Sequence, residues 1–378
     1  MRIVHVEDYF DPTAGYQINE LLIASKDFDD EVYLITSRDM SPFHKEVDIK
    51  KDQEFEQKTN VKIIRLDAIF KLSSRLILKG LKKVIEELHP DVVYMHGIAD
   101  FKDLQLWGKK KNYKIIRDCH MSWVASKNKL RHVFFAAYRL FFASIINRTN
   151  KYDVIYALGE EECEYLKNLG IRDNKIDYLP HGYNGSIMYY DEVERNRIRE
   201  QYGFHSNEIV IAYIGKFNYS KRPDLIADII NCIDEQYITS NKLRLLFIGP
   251  QDKNYMGFFN NKLDSIKNKV RFVIDNSKPF EELRMYYSAS DICIFPKETT
   301  LSSIHAQVCG CPVIMEDHKS NRERVIKQDN LFQSDNFNQA ADMLKRTVSN
   351  HEYQKSNHEH RLSHREYRNQ IEKLKKER

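Results

Sequence analysis

The sequence predicts an α/β protein of two doubly wound, parallel-sheet (Rossmann-like) domains facing an interdomain cleft. Short apolar runs alternate with helix-length segments through both halves of the chain. The runs are β-branched and apolar on both faces, as in Ile209 to Ile214, which is how strands covered on both sides read. A Pro/Gly cluster, Leu179-Pro-His-Gly-Tyr-Asn-Gly, divides a chain of 378 residues, long enough for two cores. The expected domains are 1–182 and 183–350, followed by 351–378 as an exposed charged helix or frayed tail.

In the first half, strands are expected at 3–6, 31–37, 61–66, 91–97, 113–117 and 153–158. Helices are expected near 17–26, across 72–88 with a stop at His89-Pro90, near 101–110 and across 129–148. The second half repeats the alternation, with strands at 209–214, 243–248, 270–274, 291–295 and 312–315. Two such sheets place a ligand crevice at the carboxyl ends of their strands.

Composition narrows the function. A formal net charge of +4 gives no reason to expect a nucleic-acid partner. Six cysteines without a Cys-x-x-Cys pair or His/Cys metal spacing read as reduced thiols, hence a reducing compartment. The chain opens on a strand rather than a signal-peptide hydrophobic region, so a cytoplasmic location is expected. No Gly-x-Ser-x-Gly, P-loop or Gly-x-Gly-x-x-Gly is present, which removes the usual hydrolase, kinase and dehydrogenase readings. Asp27-Phe-Asp29 has the Asp-x-Asp form of a metal pair but sits on a polar turn, where aspartates serve the turn itself. No metal and no cofactor are expected.

Two loops carry the chemistry. After Ile209 to Ile214 comes Gly215, then Lys216 and Lys221 bracketing a loop before Pro223. Paired ammonium groups at a strand's carboxyl edge suit a diphosphate, although the same loop alone also reads as a solvated turn. Later, Asp291-Ile-Cys-Ile-Phe-Pro-Lys-Glu298 leads into Ser302-Ser303-Ile-His305 and a Gly310-Cys-Pro312 turn. Ser302 or Ser303 would cap a helix whose N-terminal amides favour an anion.

These segments resemble the retaining GT-B glycosyltransferases (glycosyl transferases group 1) of bacterial polysaccharide synthesis. In that family a Gly-Arg/Lys loop with a second lysine grips the donor diphosphate, which implies this role for Lys216 and Lys221. Its Glu-x7-Glu segment falls on Glu298 to Ile314, with a departure: the second glutamate position is His305, and the first is Lys297, with Glu298 one place off. The resemblance implies that Glu298 reaches the donor sugar, His305 the ribose, and Gly15 the donor phosphate. It further implies that the first domain binds the acceptor and the second the nucleotide sugar. His120, at the end of a first-domain strand in Asp118-Cys-His120, matches the family's histidine near the reacting centre and is the first choice for a catalytic residue. His96, ending the preceding strand, is the second.

The expected function is therefore transfer of a hexosyl group from a nucleotide-diphosphate donor to a glycan or polyprenyl-linked acceptor. The alternatives are a nucleotide-sugar epimerase of the same fold, or a non-catalytic glycan- or lipid-binding protein. Two segments, Lys71 to Lys83 and Lys127 to Arg148, combine basic and apolar residues at helical spacing, which suggests peripheral contact with the inner membrane face.

Overall fold

The computed structural model describes residues 1–42, 46–72, 74–106, 112–120, 131–297, 300–352 and 359–376. The chain forms two compact units, one of residues 1–181 with 370–378, the other of residues 182–369.

The first unit is built on seven parallel strands. In chain order they are β1 (Arg2–Val6), β2 (Glu31–Ser37), β3 (Lys62–Leu66), β6 (Val92–Met95), β7 (Lys114–Cys119), β8 (Val154–Ala157) and β9 (Ile176–Tyr178). A two-stranded antiparallel ribbon, β4 (Ala68–Leu72) and β5 (Arg75–Leu78), lies outside this sheet. The order across the sheet is β3-β2-β1-β6-β7-β8-β9, so the winding reverses between β1 and β6. One face is covered by a core that includes Val4, Val93, Ile115, Ile155 and Leu166, the other by Leu22, Leu34, Phe55 and Val61. The second unit has β10 (Ile209–Ile214), β11 (Leu243–Ile248), β12 (Arg271–Asp275), β13 (Ile292–Phe295), β14 (Val313–Glu316) and β15 (Leu331–Phe332), in the order β12-β11-β10-β13-β14-β15. Its winding reverses between β10 and β13. A ligand crevice belongs at the carboxyl ends beside each reversal, and both candidate sites fall there.

Three expectations differ from the structure. The helix predicted over 72–88 is a ribbon followed by a shorter helix, Leu81–Leu88. Buried Leu76 and Leu78 stand two apart, the strand period, and Gly80 at φ 74° turns the chain in the left-handed region before the helix begins. The helix over 129–148 is observed from Arg131 to Arg148 with a wider π turn at Arg139–Ala143, and its first two expected residues lie outside the described part. Of the two readings of the charged C-terminal segment the helix holds over Tyr367–Lys376, but its expected exposure does not. Tyr367–Lys376 is helical, and Tyr367, Gln370 and Ile371 are buried at the i, i+3, i+4 spacing of an apolar face. Its polar groups are tied down too: Gln370 donates to the Pro180 carbonyl at 2.7 Å, and Lys375 meets Asp30 at 2.7 Å. Among the described residues no helix is long and apolar enough to cross a membrane, and none of the six cysteines is in a disulfide.

Gly249, directly after β11, shows how tightly the second unit's carboxyl edge is packed. A Cβ built there would stand 1.8 Å from the Gly215 carbonyl oxygen, the exit of the neighbouring β10. The backbone has no side-chain end to move aside. Gly249→Ala is expected to cost about 3 kcal/mol in urea denaturation through overpacking, with the β10 exit displaced. An unchanged midpoint would show that the two loops have slack.

Candidate functional site

At the carboxyl edge of the first unit, β1, β6 and β7 bring four residues into one buried hydrogen-bonded chain. His5 Nδ1 lies 3.0 Å from His96 Nε2, and His96 Nδ1 lies 2.9 Å from Asp118 Oδ2. Asp118 Oδ1 in turn lies 2.8 Å from His120 Nε2 and accepts the Gly97 amide at 2.7 Å. His96 and Asp118 have fully buried side chains, whereas the His120 ring is 34 % exposed. The chain thus leads from inside the sheet to its edge and ends on the predicted catalytic histidine.

The electrostatics follow from this burial. Desolvation works against a charge on His5, with repulsion from His96 adding to it, and holds its pKa well below the usual value. Desolvation would likewise raise Asp118, but the neighbouring His120 and His96 outweigh it and keep the carboxyl well below the usual range. For His120, desolvation is overcome by the Asp118 charge and hydrogen bond, with smaller contributions from Glu7 and Glu162, and the pKa rises to about 8. His120 therefore holds a proton near neutrality. With Nε2 engaged by Asp118, Nδ1 is the nitrogen that can meet a ligand. Ligand atoms of His96, Asp118 and His120 lie within 4.8 Å of one another, a metal-like grouping, but the two histidines direct these nitrogens at the carboxylate.

Beneath this edge lies a second buried network that sequence reasoning missed. Lys102, 2 % exposed, contacts Asp8 at 2.8 Å and Asp100 at 3.0 Å, and Arg117, fully buried, contacts Asp100 at 3.1 Å. Charged residues read as surface from sequence; here each buried cation is matched by carboxylates, which is what makes its burial tolerable. Gly15 lies in the half-buried loop after β1, two residues before the helix Gln17–Ala24. Gln17 is buried, and its side-chain amide has no hydrogen-bond partner among the described residues. No motif flags it.

In the second unit, Gly215 and Lys216 leave β10 at the winding reversal. Lys216 is exposed; Lys221 is half-buried, its amide held by Asn218 Oδ1 at 2.9 Å. Arg222 occupies the left-handed region at φ 48°, a costly state for a side chain that its surroundings must fix. The fixing group is Asp224, which accepts both ends of the Arg222 guanidinium at 2.8 Å and also takes the Tyr255 hydroxyl. The lysine loop is therefore pinned from below.

The other expected groups are placed differently. The helix spans Ser302–Val308, but Leu301 stands at its cap position with no side-chain cap. Ser303 donates its hydroxyl to the Thr300 carbonyl at 2.7 Å, and the Ser302 amide meets Thr300 Oγ1 at 3.2 Å. The expectation that Ser302 or Ser303 caps this helix is corrected: Thr300 supplies the local oxygens, and its use of the Ser302 amide weakens the case for an open anion site. His305 is 3 % exposed, its ring edge-on to Phe280 at 5.5 Å and tilted on Tyr287 at 6.5 Å. It packs inside the unit. Lys297, on the first family-glutamate position, is held by Glu316 at 2.5 Å and Asp335 at 3.0 Å. Glu298 lies outside the described residues.

Comparisons with known proteins bear on both halves of the chain. Residues 194–367 match the family model described as Glycosyl transferases group 1, and residues 14–185 match Glycosyltransferase Family 4. Both halves of the chain are glycosyltransferase domains. A structure of a glycosyltransferase from Rickettsia africae superposes with a TM-score of 0.73 at 16% identity, covering 100% of this chain and 98% of that one. HepE from Anabaena in complex with UDP gives 0.71 at 14% identity, covering 99% of each chain. Sucrose-phosphate synthase from Thermosynechococcus elongatus gives 0.69 at 17% identity, covering 99% and 98%. No significant match was found among curated proteins. The fold of these glycosyltransferase domains is GT-B.

Proposed function

We propose that the chain is a retaining, metal-independent hexosyltransferase that moves a sugar from a nucleoside-diphosphate donor to a glycan or polyprenyl-linked acceptor. The setting proposed is bacterial surface-polysaccharide synthesis on the cytoplasmic side of the membrane. The observation that carries this reading is the pinned Gly215–Lys221 loop at the winding reversal of the second sheet. It is supported by structural relatives solved with UDP and with UDP-glucose.

In the proposed reaction the bond from the anomeric carbon to the diphosphate breaks, and a bond to the acceptor oxygen forms on the same face. The acceptor's proton passes to the departing phosphate. Positive charge develops on the sugar and negative charge on the leaving group. Lys216 and Lys221 neutralise the leaving group with little rearrangement, because their loop is already fixed. His120 is assigned to orient the sugar or acceptor, Glu298 the donor sugar and Gly15 the phosphate; His305, packed inside the unit, is left out of the ribose role.

The test is thermal denaturation with uridine, guanosine, adenosine and cytidine diphosphates. One of them should raise the melting temperature progressively with concentration, reaching about 2.7 kcal/mol of added stability at a hundred times Kd. No response to any of the four would remove the nucleotide site.

A further inference from the structure

The ribbon side of the first unit carries groups that diphosphate chemistry leaves unused. From Ala68 to Ile85 the sequence holds Lys71, Arg75, Lys79, Lys82 and Lys83 and no Asp or Glu. The structure makes the first part of this stretch an antiparallel ribbon rather than a helix. The outer strand is apolar and open to water: Ile69, Phe70 and Leu72 are 64%, 49% and 58% exposed. Phe70 meets Phe101 edge-on with centroids 5.5 Å apart, and Leu104, one helical turn beyond Phe101, is 51% exposed.

The ribbon is anchored, so these side chains are held outward. Leu76 and Leu78 bury its inner side, and Gln105 exchanges hydrogen bonds with the Leu78 backbone at 3.2 and 2.6 Å. Arg75 is drawn over the Phe134 ring at 5.1 Å, and Lys71 donates to the Pro42 carbonyl at 2.8 Å. Between ribbon and helix Leu81–Leu88 runs an open groove of about 530 Å³. Ile69, Ile77 and Leu81 line it, with Lys82, Lys83 and Glu86. Glu87 approaches Lys83 at 3.7 Å, but both are well exposed, and such a pair holds its charges weakly.

Strands facing water normally carry polar side chains there, and clustered exposed apolar groups mark a contact surface. Here apolar side chains stand beside the exposed cations Lys79, Lys82 and Lys83, in a stretch without an acid. That pairing is complementary to a bilayer, whose acyl boundary accepts Ile69, Phe70 and Leu72 and whose anionic headgroups accept the lysines. We propose that the β4–β5 ribbon and the start of the following helix dock the first unit on an anionic lipid surface. This is independent of the donor site.

The test is flotation of the full chain with vesicles of phosphatidylcholine alone and of phosphatidylcholine with phosphatidylglycerol in equal parts. The protein is expected to float with the anionic vesicles only, and to be released by high salt. Replacing Lys79, Lys82 and Lys83 together by alanine should lower partitioning about a hundredfold, as three cations near a charged surface imply. Ile69→Asp with Leu72→Asp should abolish flotation while the melting temperature stays unchanged, because both positions are exposed. Absence of flotation, equal binding to neutral vesicles, or wild-type binding by both variants overturns the proposal. So does a dimer in sedimentation that the Ile69→Asp, Leu72→Asp variant loses, which would assign the face to a second copy.

Discussion

Asp118→Asn is expected to destabilise the protein by about 3–5 kcal/mol, the cost of removing one partner from a buried charged network. The carboxylate receives His96, His120 and the Gly97 amide at 2.9, 2.8 and 2.7 Å. An amide cannot accept all three, and its own N–H groups would face donors. The same variant should flatten the pH dependence of stability. His120 is raised from 6.5 to about 8 on folding, so its contribution is complete below pH 6.5 and is lost as pH rises through 8. Asp118 is depressed on folding, so its contribution is complete above the ordinary carboxylate pKa and is lost as pH falls through its lowered value. A shift of this size on His120 would correspond to about 2 kcal/mol, reduced to about 1 for a ring that water reaches. Urea denaturation across the neutral range should show that decline in the wild type and its absence in Asp118→Asn. A decline of equal size in both would mean that another group titrates there.

Lys221→Ala is expected to lose donor use by a factor of roughly 30 to 5,000, since truncating one partner of a desolvated charge pair commonly costs about 2–5 kcal/mol. Lys216→Ala should lose less, because Lys216 is exposed and solvent screens it. Both follow from a loop whose shape is set by Arg222 and Asp224 rather than by the lysines, so the alanine variants should fold normally. The measurement is transfer rate against donor concentration, with melting temperature as the control. Wild-type rates in both variants would place the diphosphate elsewhere.

The strands were legible because parallel strands covered on both faces leave nearly continuous apolar runs, and Ile209–Ile214 is buried at every position. The ribbon was not, because Leu72 with Leu76, and Leu81 with Ile85 and Leu88, stand at helical intervals, while the step of five from Leu76 to Leu81 breaks that register and Leu76 and Leu78 satisfy the strand period. Only the turn at Gly80 separates the two readings. At the first unit's edge, Asp118 and His120 are neighbours in sequence and were found together. His5 was missed: its bond to His96 exists only because β1 and β6 pair with His5 opposite Tyr94. The Ser302 and Ser303 cap was misread because the amides a Ser302 cap would take, those of Ile304 and His305, go to the Leu301 carbonyl instead.

The helix Tyr367–Lys376 has a temporal consequence. Residues 370–378 belong to the same compact body as residues 1–181, yet some 190 residues of another body are synthesised between them. While residues 182–369 are being made, the leading body has neither Ile371 nor Lys375 to set beside Leu21 and Asp30. Completion of that body is therefore set by the arrival of residues 370–376, after the other body has been made.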